Sequence, residues 1–130
     1  MQYKLETFLD ERFNDLRASL PDGLSVLEEY LETAIINDSH KKILFQKIEL
    51  VKSGQVNEEV WGSDSFVARI KSDTVTVYNT IMERMIEQGL TGKDKVPQDQ
   101  ERVTIDLNSF CEIVEAWIIA LKEFYEKRNT

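Results

Sequence analysis

Apolar positions along this chain keep two different spacings, and the change between them organises everything else. From Leu5 to Val51 they recur every three or four residues; from Phe66 to Val77 they alternate; from Phe110 onward the helical spacing returns. Spacing of three and four marks one face of a helix, and alternation marks a strand. Leu5, Phe8, Leu9, Phe13, Leu16 and Leu20 predict a first helix, with Asp10, Glu11, Arg12, Asp15 and Arg17 on its other side. Pro21-Asp22-Gly23 breaks it. Leu24, Leu27, Tyr30, Leu31, Ala34 and Ile35 predict a second helix. A turn at Asn37-Asp38-Ser39 follows, with Asp38 or Ser39 as the cap of a third helix. That helix points Ile43, Leu44, Ile48 and Val51 inward and stops at Gly54, which supplies a left-handed end.

Beyond Gly54 the alternation Phe66, Ala68, Ile70 predicts a strand, Lys71-Ser72-Asp73 a turn, and Val75-Thr76-Val77 a second strand extending toward Thr80 and Ile81. Val56 to Trp61 predicts a further strand ahead of the hairpin. Met82 to Leu90 reads as a helical turn or two, and Gly89, Gly92, Pro97 and Lys93-Asp94-Lys95 as a mobile loop. Val103 to Ile105 is a short strand. Asp106 or Asn108 caps a last helix over 107–127, with Phe110, Val114, Trp117, Ile118, Leu121, Phe124 and Tyr125 inward and Cys111, Ile113 and Ile119 flanking. So broad an apolar surface predicts a central helix. Helices grouped outside a run of strands mean α+β: an antiparallel meander of three or four strands, packed against N-terminal helices and the C-terminal helix. The chain reads as one domain over 1–130, helical over 1–53 and meander plus helix over 54–130.

Composition narrows the function classes. With 130 residues and 42% hydrophobic content, the chain can bury a core. The net charge is -8, from 24 acids and 16 bases. That disfavours direct nucleic-acid binding, which needs cations on phosphates, and permits association with a basic partner, the plainer role of the charge being solubility. A single cysteine excludes an internal disulfide, in keeping with a reducing cytoplasm. No apolar leader or membrane-spanning run is present, so a cytoplasmic protein without membrane association is expected.

Catalytic ingredients are sparse. The one histidine, His40, sits at a predicted helix start beside Lys41 and Lys42, where capping is the simpler role. One His and one Cys cannot build a common zinc site. Cys111 lies on the core helix with no base or cation to make a thiolate. No cofactor motif, phosphate loop or calcium loop appears. The chain is therefore expected not to be an enzyme. Glu28 and Glu32 do share a helical face, which leaves a small carboxylate-based enzyme as one alternative reading. A non-inhibitory adaptor or homodimerising protein is another.

The charge is uneven. Residues 1–38 carry Glu6, Asp10, Glu11, Asp15, Asp22, Glu28, Glu29, Glu32 and Asp38 against Lys4, Arg12 and Arg17, a net of -6. Residues 39–56 carry Lys41, Lys42, Lys47 and Lys52 against Glu49, a net of +3. An acidic helical surface suits a protein that covers a basic site; a plain solvated face is the simpler reading.

Trp61-Gly62 before a hairpin, Ile70 and Val75-Thr76-Val77 across its turn, Val103-Thr104-Ile105-Asp106-Leu107 leading into Phe110, and Trp117 within the terminal helix form a pattern over about half the chain. It resembles the small immunity proteins of bacterial contact-dependent growth inhibition and related polymorphic-toxin systems. The resemblance implies a protein that binds and blocks a cognate toxin C-terminal domain, basic and commonly a nuclease. No interface residue carries over by motif. The acidic distribution nominates Asp10, Asp15, Glu28, Glu29 and Glu32, with Glu58, Glu59 and Asp64 around Trp61 as the competing site.

Overall fold

The computed structural model describes residues 4–21, 24–89 and 102–128. The fold is α+β, as expected, and its meander has four strands. The first element differs from the expected helix. Residues Glu6–Asp10 (β1) and Asp15–Ser19 (β2) form an antiparallel hairpin, with Phe8 opposite Arg17 and Leu9 opposite Leu16. The apolar stripe that suggested a helix is split: Leu20 is buried and Leu5 and Leu16 pack against the core, whereas Phe8, Leu9 and Phe13 are 54%, 47% and 62% exposed. The competing signal is the turn Glu11 to Asn14. Asp10 Oδ1 accepts from the Arg12 amide, the Phe13 amide bonds the Asp10 carbonyl, and Asn14 takes φ 53°. Asp and Asn stabilise such turns through local side-chain bonds and tolerate the left-handed region. Four residues of turn chemistry outweigh a helical spacing whose middle members, Phe8, Leu9 and Phe13, lie exposed. The 1–53 segment is thus a hairpin followed by two helices.

Those two helices match the pattern. Ser25–Ala34 (α1) buries Val26, Leu27, Tyr30, Leu31 and Ala34. Asp38–Lys52 (α2) buries Leu44, Ile48 and Val51, while Ile43 stays exposed. Its cap is Asn37, one residue before the expected pair, accepting from the His40 amide at 2.9 Å. Gly54 has φ 79°, the conformation expected of it.

The main sheet runs β3 (Glu59–Gly62), β4 (Phe66–Ile70), β5 (Thr74–Asn79) and β6 (Arg102–Asp106) in chain order, every pair antiparallel. The β3–β4 turn is tight. A Cβ on Gly62 would stand 2.3 Å from the Phe66 carbonyl oxygen and 2.6 Å from the Val67 Cα, so only glycine fits. After β5 the chain enters α3 (Thr80–Glu87) at once, capped by Asn79, which accepts from the Ile81 and Met82 amides. Thr80 and Ile81 therefore open a helix rather than extend the strand. The loop expected around Gly92 and Pro97 lies outside the described residues.

The last helix, α4 (Leu107–Arg128), is capped by Asp106, whose Oδ2 accepts from the Ser109 amide at 2.9 Å. Phe66, Ala68, Ile70, Val75, Val77 and Ile105 face inward from the sheet. Phe110, Ile113, Val114, Trp117, Ile118 and Leu121 come from α4. Trp117 is 1% exposed, and its indole N–H donates to the Ile35 carbonyl at 2.7 Å, tying α4 to the end of α1. One expected inward position on α4 is open, Tyr125 at 47% exposed; of the flanking residues Ile119 is 58% exposed, whereas Ile113 is buried. The helix buries one broad face rather than being wrapped on all sides. Among the described residues, no helix is long and apolar enough to cross a membrane.

Candidate functional site

The eight nominated acids divide by what they hold. Glu28 and Glu32 do share one face of α1, but that face is turned to the hairpin. Glu28 Oε2 accepts from the Leu20 amide at 2.6 Å, and Glu32 Oε2 from the Ala18 amide at 2.7 Å. In an antiparallel pair alternate amides point away from the partner strand. Acids one helical turn apart thus meet amides two residues apart at the end of β2 and close its outer edge. Arg17 lies between Glu32 (3.2 Å) and Asp10 (3.5 Å) and binds this corner together. Burial pushes the Glu32 carboxyl above its ordinary range, outweighing the Ala18 bond and the Arg17 charge. A half-buried carboxylate is tolerated here because it is hydrogen-bonded.

Glu58 and Glu59 are also engaged, with Arg69 and Lys47 respectively, both at 3.1 Å. Asp15, Glu29 and Asp64 are exposed and make no ion pair among the described residues. Glu29 and Asp64 lie on elements that touch. Thr33 Oγ1 donates to the Glu29 carbonyl, and its oxygen lies 3.2 Å from Ser63 Oγ. Glu29 stands one turn before Thr33 on the same helical face, and Asp64 follows Ser63. Two regions that sequence reading treated as competing sites therefore meet along one seam, where α1 abuts the β3–β4 turn. Nothing in the spacing of Thr33 and Ser63 announced this contact.

Behind that seam, Tyr30 Oη donates to the Trp61 carbonyl at 3.0 Å. His40 lies 5.9 Å from the Trp61 ring, and its Nδ1 accepts from the Ile36 amide. His40 closes the α1–α2 junction, the capping type of role expected of it. Cys111 is half-buried, and burial pushes its thiol up, keeping it in the unreactive protonated form.

A second polar feature lies on the outward face of the sheet, where α3 borders it. Arg69, Lys71, Thr76, Tyr78 and Arg102 line a groove of about 460 Å³ with Glu83 and Glu87 of α3. Arg69 stacks on Tyr78 at 5.6 Å and Arg102 pairs with Glu83. Sequence reading passed over it, although its sheet residues are the outward members of the same alternation that located the core. Among the described residues, no three of His, Cys, Asp and Glu gather as a metal-binding group. Comparison of the chain with protein families, curated proteins and solved structures gives no match.

Proposed function

We propose that this protein is an immunity-type inhibitor, which binds a basic toxin domain and blocks it through acidic surface. One observation carries the reading: the Thr33–Ser63 contact sets the exposed acids Glu29 and Asp64 on adjoining elements of a chain with net charge -8. Carboxylates so placed attract the Lys and Arg side chains with which a nuclease holds phosphate, raise the encounter rate and cover the site. The site of action on this reading is the cytoplasm. The resemblance of the meander and terminal helix to immunity proteins points the same way.

The acids fall into two roles. Glu28, Glu32 and Asp10 hold the hairpin against α1 and act on the partner only through that shape. Glu29 and Asp64 make the contact, with Asp15 at the hairpin adding to the field. The test is survival of cells producing the toxin domain encoded beside this chain, with and without Glu29→Lys and Asp64→Lys combined. Protection by the unaltered protein, its loss in the folded double variant, and a flatter salt dependence of binding are expected. Full protection by the double variant would move the site elsewhere. Failure of the unaltered protein to protect or co-purify would end the immunity reading.

A further inference from the structure

The two outer edges of the N-terminal hairpin are treated differently. That of β2 is closed by Glu28 and Glu32. That of β1 has no strand beside it among the described residues, because the small sheet contains β1 and β2 alone. Residues 6–9 are all exposed. An open edge offers unpaired N–H and C=O groups to another strand, and proteins usually blunt such edges with charged side chains (above all Lys), Pro or a bulge. Residues Glu6 to Leu9 contain no Lys, Pro or bulge, and Glu6 is their one charge.

We infer that β1 pairs antiparallel with β1 of a second copy, making a four-stranded sheet across a two-fold axis. The direction of the Ala18 amide, away from β1, fixes which groups are available. Ala18 lies opposite Thr7, so Thr7, with Leu5 and Leu9 at the same phase, turns its main-chain groups outward. Charge then selects the register. Centring the axis on Glu6 sets Glu6 against itself. Centring it on Phe8 sets Glu6 against Asp10 and Lys4 against Arg12. Centring it on Leu5 or Leu9 leaves much of the strand unpaired. Centring it on Thr7 uses the whole segment: Lys4 meets Asp10, Leu5 meets Leu9 and Glu6 meets Phe8, with no like charges opposed. In that register the two copies of Phe8 are diagonal neighbours on one face, within aromatic reach. That gives cover to one of the largest exposed apolar groups in the protein.

The test is sedimentation equilibrium over a wide concentration range, combined with amide hydrogen exchange. A dimer is expected, with the amides of Leu5, Thr7 and Leu9 gaining protection as concentration rises. Thr7→Pro removes an outward donor without touching the β1–β2 ladder. It should weaken self-association about tenfold or more, since two main-chain bonds are lost across the axis. If that variant fails to fold, exchange in the unaltered chain decides. A monomer at all concentrations with these three amides unprotected overturns the inference. So does protection that arises only on adding the toxin domain, which would make the strand's partner a foreign one.

Discussion

Trp117 fills the centre of the molecule with a side chain that is both the largest in the core and hydrogen-bonded at its one polar atom. Truncation leaves a cavity and an unbonded Ile35 carbonyl together. Trp117→Ala should cost about 3–5 kcal/mol, a large share of a typical domain's stability. Urea unfolding measures it, and a variant that unfolds at the parent's midpoint would contradict the packing described. Residues of this kind were legible in the sequence, because a Trp inside a run spaced by three and four has one place to go. Residues whose role depends on a distant amide were not. Glu28 and Glu32 have the spacing of a solvated helical pair, and only the position of Ala18 and Leu20 makes them an internal clasp.

Elements were legible where local chemistry and core burial agree. The second and third expected helices, the β4–β5 hairpin and the terminal helix bury most of the face their spacing predicts, with Ile43 and Tyr125 left exposed. The first hairpin was not legible, since Phe8, Leu9 and Phe13 fit a helical template while lying exposed, and the turn at Glu11–Asn14 decides. The terminal helix also shows how a cap ties an element to pH. The Ser109 amide bond holds the Asp106 carboxyl below the ordinary aspartate range. Its folded value lies below its unfolded value, so its stabilisation is complete above about pH 4 and is lost as pH falls through the lowered value. Asp106→Ala should therefore lower stability at neutral pH and flatten the acid limb of the pH–stability curve. A parallel downward shift at every pH would assign the effect to something other than this cap.

At the scale of the whole molecule, the acidic surface is divided between acids that hold the fold and acids left exposed. The seam between α1 and the β3–β4 turn adjoins Trp61, whose carbonyl accepts from Tyr30, whereas Trp117 is sealed in the core and bonded to the end of α1. The protein thus carries two indoles in unlike surroundings: one bonded and dry, the other half-buried beside His40 with its N–H unbonded among the described residues. That asymmetry is an optical instrument built into the chain. Light absorbed by Trp117 returns a signal insensitive to events at the surface, and Trp61 returns one that follows the seam. A partner settling over Glu29 and Asp64 should change the emission of the native protein and leave Trp61→Phe nearly unaltered, so a single titration in the fluorimeter reports both occupancy and place.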